Sequence, residues 1–381
     1  MKRIAILGST GSIGQQTLEV VRLFSHRFSI VGLGAGRNVE LLARQVGEFK
    51  PKLVSFQATG NEDQGKAVLA CAPGSRLVSL EEMACHSGVD LVVVATSGKA
   101  GLAPTLAAIR AGKQIALANK EVLVMAGKIV MAEAKEHGVE VFPVDSEHSA
   151  IWQCLCGESR GEVARLILTA SGGPFLHYIL EQMATITPEQ ALNHPTWQMG
   201  EKVTVDSATL MNKGMEIIEA HWLFDLPLQR IQVLIHPGSI VHSLVEFIDG
   251  SVKAQLCMPD MRLPIQYALT YPERLANPEL PKVDWNKLSS LHFEPPDLTL
   301  FPCLRLAVEA GERGGTYPAV LCAADEVAVG LFLTHRIGFL DIARLVEDTL
   351  EQHQGIGNPS LDEILAADAW AGEHAKNWSG R

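Results

Sequence analysis

Over the first 144 residues, short apolar runs alternate with amphipathic stretches. The runs cover 3–7, 28–33, 52–56, 76–79, 90–96, 114–118 and 139–144, and 13–24, 39–47 and 102–111 carry apolar residues at helical spacing. Near-continuous apolar strands separated by helices predict a parallel sheet covered on both faces. From residue 149 the alternation stops. A helix over 149–155, a strand over 164–170 and a helix over 205–222 are followed by strands at 231–235, 241–248 and 251–256. The last two flank Asp249-Gly250, a hairpin signal. Pro-rich 277–282 and 292–302 read as connections, and the helical patterns at 304–312, 318–333, 339–351 and 361–378 predict a terminal bundle. The expected organisation is an α/β domain over 1–144, an α+β domain over 145–285, a linker over 286–302 and a C-terminal helical domain over 303–381.

The first strand runs into Gly8-Ser9-Thr10-Gly11-Ser12-Ile13-Gly14 and then a helix. Glycines there let backbone approach a pyrophosphate, and the helix N-terminus offers N–H groups and the positive end of its dipole. A tight turn without ligand is the plain alternative, but the strand–turn–helix context favours a Rossmann-like dinucleotide site. NAD-binding domains usually place a carboxylate at the end of the second strand. Here that strand ends in Gly34-Ala35-Gly36-Arg37-Asn38, and an arginine suits the 2′-phosphate of NADP(H) better than a loop cation with no partner. Asn119, Lys120 and Glu121 follow a later strand, where ligands of such sheets bind. Asn119 could equally cap the helix that follows.

The apolar run 139–144 ends in Asp145-Ser146-Glu147-His148. If the strand continues one step, Asp145 and Glu147 point the same way. Converging carboxylates repel unless a cation or shared proton lies between them, and such oxygens suit Mg²⁺ or Mn²⁺. A solvated loop fits these residues equally well. Ser171-Gly172-Gly173-Pro174-Phe175 after a strand could wrap an anion or form an ordinary turn. Residues 193–200, Asn-His-Pro-Thr-Trp-Gln-Met-Gly, form a loop whose Trp197 and Met199 suit a lid, or a plug for the core. On the 205–222 helix, Asn212, Lys213 and Glu216 share a face among methionines, as in a lined cavity. The competing reading is an i,i+3 ion pair on a solvated face.

Composition narrows the classes. The 381 residues carry a formal charge of −11 without a long basic run, which argues against nucleic acid while leaving room for a local phosphate pocket. Seven cysteines form no strong spacing, which suits reduced thiols in a cytoplasmic protein. The strand pattern starting at Met1 leaves no room for a targeting peptide, and no run of about 18 apolar residues predicts a membrane span. His236 and His242 read as structural. His148 either orients the acidic site or caps a helix starting at Ser149.

With these motifs in order, the chain resembles the 1-deoxy-D-xylulose 5-phosphate reductoisomerases from Gly8 to the terminal helices. The resemblance implies a homodimeric enzyme of isoprenoid precursor synthesis that uses NADPH and a divalent metal. It converts 1-deoxy-D-xylulose 5-phosphate to 2-C-methyl-D-erythritol 4-phosphate. By this resemblance Asp145, Glu147 and Glu216 would hold the metal. Ser171, Ser207, Asn212 and Lys213 would hold the phosphate. Lys120, Ser146 and Glu147 would contact the substrate backbone, with His194 and Trp197 above it. Thr10, Gly11, Ser12, Ile13, Gly36, Arg37, Asn38, Asn119, Glu121 and Gly200 would touch NADPH. Lys120, Glu147, His194 and Glu216 would be the catalytic set. The chain departs from the family pattern at Gly238, where His-Pro-Gln-Ser is frequent, and at Gln198, where Ser is. A plain NADPH-dependent aldehyde reductase and an NADPH-binding redox sensor are the alternatives from other classes.

Overall fold

The computed structural model describes residues 1–57 and 67–380. They form two compact units. The first comprises 1–122, 128–149 and 260–280, the second 123–127, 150–259 and 281–381.

The first unit is a seven-stranded sheet of β1 (Lys2–Leu7), β2 (Phe28–Ala35), β3 (Leu53–Phe56), β4 (Arg76–Leu77), β5 (Leu91–Val94), β6 (Gln114–Leu117) and β7 (Val141–Pro143). Their order is β4-β3-β2-β1-β5-β6-β7, and every pairing is parallel. Each strand therefore falls where the apolar runs predict. Ile4 to Leu7 are fully buried, as expected of a central strand covered on both faces. Helices α1 (Ser12–Leu23), α2 (Val39–Phe49), α3 (Leu80–Cys85), α4 (Leu102–Arg110) and α5 (Glu121–Glu136) lie between the strands, and α6 (Ser146–Leu155) starts after β7. The strand order reverses at β1, which puts a crevice outside the carboxyl ends of β1 and β5.

Two features differ from expectation. Residues 260–280, assigned to the middle domain, fold with the first unit. A helix at Arg262–Thr270 lies there, tied by Lys2 Nζ to the Leu269 carbonyl at 2.9 Å and by Arg27 to Glu273 at 2.8 Å. Conversely, Leu123–Gly127 of α5 belongs to the second unit. There α5 leaves helical geometry at Ala126, and a Cβ at Gly127 would sit 2.2 Å from the Trp222 ring.

The second unit holds a four-stranded sheet, β8 (Val163–Ala170), β9 (Ile231–Ile235), β10 (Val241–Phe247) and β11 (Val252–Leu256), in the order β11-β10-β8-β9. Asp249-Gly250 turns the β10–β11 hairpin, with Gly250 at φ +84°. Helices α7 (Glu201–Thr209) and α8 (Met211–Phe224) precede the irregular segment 281–301. The terminal helices are α9 (Pro302–Arg313), α10 (Tyr317–Leu333), α11 (Phe339–Gln352) and α12 (Leu361–Lys376). They match the predicted patterns, but share one compact unit with 150–259 instead of standing apart. No described helix is long and apolar enough to cross a membrane.

Candidate active site

In the first unit, the β1–α1 turn can be made only by glycine at two places. Gly8 has φ +94°, and its Cβ would lie 2.3 Å from the Ala95 carbonyl oxygen; at Gly14 a Cβ would meet the Gly8 oxygen at 2.2 Å. The turn is pinned from below by Ser9, which donates to Gln45 Oε1 at 2.8 Å and accepts at its carbonyl from Gln45 Nε2 at 2.9 Å. Gly11 is the N-cap of α1, without a side-chain cap and without an acidic residue in the first turn. Such an end attracts anions. Thr10, Gly11, Ser12 and Ile13 keep some exposure around it, and Gly36 and Arg37 are exposed at the end of β2. Asn38 is also exposed, and its Oδ1 accepts from the Leu41 N–H at 3.1 Å, capping α2.

Asn119 behaves as a cap. Its amide donates to the Thr96 and Gly98 carbonyls, both at 2.8 Å, and its Oδ1 accepts from Val122 N at 3.0 Å. It joins the loops after β5 and β6, at the mouth of the crevice. Glu121 follows, half-buried, in the first turn of α5.

The acidic stretch does not continue its strand. β7 stops at Pro143 and α6 begins at Ser146. Asp145 therefore precedes a helix and Glu147 lies in its first turn, so the strand-alternation argument for their convergence fails. The carboxylates converge nonetheless, with oxygens within 4.8 Å of each other, because the chain bends between strand and helix. Ser146 donates to Glu147 Oε2 at 2.5 Å, and Lys120 pairs with Asp145. His148 is fully buried with Nδ1 3.9 Å from Asp145 Oδ2. It lies inside α6, so it does not cap a helix starting at Ser149. A charge of this sign held away from water calls for a cation, and two such carboxylates fit a hard divalent ion.

The second unit carries a second set of polar side chains. The expected single helix over 205–222 is broken. Leu210, at φ +60°, separates α7 from α8. A non-glycine residue in that region costs roughly 1–2 kcal/mol, an expense the packing around buried Leu210 must offset. The break puts Ser207 near the end of one helix and Asn212, Lys213 and Glu216 at the start of the next. Lys213 donates to Glu216 Oε2 and Asn212 to Glu216 Oε1, both at 2.5 Å. The i,i+3 ion pair therefore exists, but with side chains 5% and 1% exposed it is no solvated surface pair. Gly214 lets α9 come close, since its Cβ would sit 2.4 Å from the Ala307 Cβ. That role escaped sequence reading; a lone glycine in a helical pattern was the available signal.

Ser171 opens a turn in which Gly172 and Gly173 take φ +85° and +67°. A Cβ on Gly173 would meet the Ser207 carbonyl oxygen at 2.9 Å. The turn thus nests against α7. His194 joins the two serines, its Nε2 lying 3.1 Å from both Ser171 Oγ and Ser207 Oγ. Its Nδ1 accepts from the backbone N–H of Thr196 at 3.1 Å and Trp197 at 2.9 Å. Those donors fix the neutral tautomer, with the proton on Nε2 facing the serines. Burial pushes the His194 pKa down, in the same sense. Trp197 is half-buried with its ring 6.1 Å from that of His242 on β10. Gly200 is the exposed N-cap of α7. His236 is structural, sharing Nδ1 with the His292 carbonyl at 2.8 Å, accepting from Ile240 N at 3.2 Å, and stacking on Phe293. A Cβ at Gly238 would touch that ring, 3.4 Å from His236 Cε1.

Three family models match the chain: 1-deoxy-D-xylulose 5-phosphate reductoisomerase over residues 4–127, and two models described as its C-terminal domain over 141–224 and 256–374. The reductoisomerase of Pelotomaculum thermopropionicum is 54% identical over 375 residues, covering 97% of each chain. That of Heliobacterium modesticaldum is 55% identical over 376 residues, covering 97% of this chain and 96% of its own.

This chain belongs to the 1-deoxy-D-xylulose 5-phosphate reductoisomerase family. Solved reductoisomerases share its fold. The enzyme of Zymomonas mobilis in complex with NADPH superposes with a TM-score of 0.90 at 44% identity, covering 98% of both chains. A DOX-P reductoisomerase in complex with NADPH, fosmidomycin and magnesium reaches 0.92 at 41% identity, covering 99% of this chain and 98% of its own.

Proposed function

We propose that the named side chains divide the reductoisomerase reaction as follows. The chain is an NADPH- and divalent-metal-dependent enzyme that isomerises and reduces 1-deoxy-D-xylulose 5-phosphate to 2-C-methyl-D-erythritol 4-phosphate. The β1–α1 turn, Thr10 to Ile13, takes the pyrophosphate of NADPH. Gly36, Arg37 and Asn38 take its 2′-phosphate end, with Asn119 and Glu121 toward the nicotinamide and Gly200 as a further contact. NADPH supplies the hydride. Asp145, Glu147 and Glu216 hold Mg²⁺ or Mn²⁺, which supplies a Lewis acid for the substrate's carbonyl and hydroxyl oxygens.

Lys213, Asn212, Ser207 and Ser171 hold the phosphate. The neutral His194 donates to the serine hydroxyls, leaving their own protons to point at phosphate oxygens. Trp197 covers the substrate and excludes water while the carbon skeleton rearranges. Ser146 and Lys120 bind the sugar backbone. Glu147 or Lys120 takes the hydroxyl proton whose loss lets the carbon–carbon bond migrate. The branched aldehyde that results accepts hydride and one proton, closing the balance with NADP⁺ as the other product.

The observation that carries this division is the make-up of the two clusters: carboxylates with one lysine after β7, and neutral donors with one lysine about α7 and α8, where Glu216 accepts from both Asn212 and Lys213. Glu216→Gln tests it. Turnover should fall by several orders of magnitude with the NADPH dissociation constant within about twofold of wild type. Loss of NADPH binding in that variant would contradict the division of labour.

We further propose a cytoplasmic homodimer that pairs through the outer face of the β8–β11 sheet. Paired residues point to the same side of a sheet. Leu166, Leu168, Ser243 and Val245 are buried on the inner face, and Gln232, Ile167, Leu244 and Ala254 form a row across the other.

A further inference from the structure

Lys202 stands two residues beyond the 193–200 loop, in the first turn of α7. Its ammonium is 2.6 Å from Asp206 Oδ2, one turn along the same helix, and 2.6 Å from Asp325 Oδ2 on α10. The two acids are 3% and 0% exposed, the lysine 27%. Asp325 is set among buried Ala323, Ala324, Ala328 and Val329, where an apolar residue of similar size would pack without a desolvation penalty. The field of the two carboxylates reaches the buried Cys303 thiol of α9. Its pKa is raised first by burial and then by Asp325 and Asp206. A buried acid in an apolar helix is poor value as a stabiliser. It is effective at fixing one register between two helices.

The register matters because of what α7 carries. Asp206 immediately precedes Ser207, and its carbonyl accepts from the Thr209 hydroxyl at 3.2 Å. At the other end of the helix, the Gly200 carbonyl accepts from Thr204 Oγ1 at 2.9 Å. Ser207 and His194 must meet across this helix at 3.1 Å. A small slide or rotation of α7 against α10 would part them.

We propose that Lys202 and Asp325 are positioning residues of the phosphate pocket, the bridge from α7 to α10 locking Ser207 where His194 and the substrate phosphate meet it. The proposal rests on the reading that Ser207, Asn212 and Lys213 hold the phosphate. It involves no contact of Lys202 with the substrate.

Steady-state kinetics on the full-length enzyme tests it, with Ser207→Ala as the control for the pocket itself. Asp325→Asn cuts the charged bridge while leaving Lys202 paired with Asp206, one charge of each sign, so it should fold. Lys202→Met removes the bridge entirely, and Lys202→Arg restores it. Asp325→Asn and Lys202→Met should raise KM for 1-deoxy-D-xylulose 5-phosphate about tenfold or more, since small misplacements of binding groups cost that much. Their kcat should stay within about threefold and the NADPH dissociation constant should not move. Lys202→Arg should recover most of the loss. If Ser207→Ala raises KM and the bridge variants leave it within about twofold, the bridge serves only stability and the proposal is wrong. If Ser207→Ala itself leaves KM unchanged, the phosphate reading falls, and this inference with it. Should Lys202→Met fail to fold, Asp325→Asn alone decides.

Discussion

Single side chains in this protein are set by what their neighbours demand. His194 is the clearest case. Two backbone N–H groups occupy Nδ1, so a proton there would break both contacts. Burial lowers its pKa below the ordinary 6.5. The ordered loop therefore binds fewer protons than the free one. Its stability is complete above about 6.5 and is lost as pH falls through the lowered pKa. KM for the substrate should accordingly climb on going from pH 7 toward pH 5.5. The substrate phosphate has its own ionisation near 6, so the informative quantity is the ratio to His194→Gln, whose profile should be flatter. Equal profiles would exclude the imidazole as the source. Arg37 is set differently, by its exposed place at the end of β2. Arg37→Ala should weaken NADPH about tenfold or more, the worth of a charge-assisted contact, and leave NADH little changed. Parallel losses for the two cofactors would refute the 2′-phosphate role.

At the scale of elements, the pattern of apolar residues placed all seven strands of the first sheet, the four of the second and the terminal helices. It failed where a helix changes direction. The polar set from Ser207 to Glu216 looked like one helix because each half has helical periodicity. The break at Leu210 has no sequence signal, since leucine is the wrong residue for a left-handed position. The acid stretch failed in the opposite sense. Asp145 and Glu147 were expected to converge by strand alternation, and they converge because α6 starts at Ser146. Gly214 is the element-scale feature open to direct test. Gly214→Ala forces a Cβ into α9, and overpacking of this kind costs about 1–3 kcal/mol. The melting temperature should drop, and kcat/KM should fall with it because Lys213 and Glu216 flank the site. An alanine variant as stable and active as wild type would show that α9 yields freely.

At the scale of the whole molecule, the sequence is read by each unit in pieces. Residues 260–280 return to the first unit after more than a hundred residues in the second, and five residues of α5 belong to the second. Linear domain boundaries miss this because contacts such as Lys2 with Leu269 and Gly127 with Trp222 join positions far apart in the chain. The proposed dimer belongs here too. Sedimentation should give the mass of two chains. Replacing Leu244 and Ala254 by lysine should shift it to one, since like charges facing across a two-fold surface repel. A dimer that survives both changes pairs through another face.

The residue order alone determined the parallel sheet, the glycine turn, the absence of a carboxylate after β2 and the identity of the polar groups. Each of these follows from local rules: period, φ preference and ligand chemistry. Tertiary structure decided the rest. It turned Asn119 and Asn38 into caps, buried the Lys213–Glu216 pair, aimed His194 at two serines from separate segments, and bridged Lys202 to Asp325 over more than a hundred residues. Hydrogen bonds and ion pairs act over a few ångströms, and only folding decides which distant residues come that close.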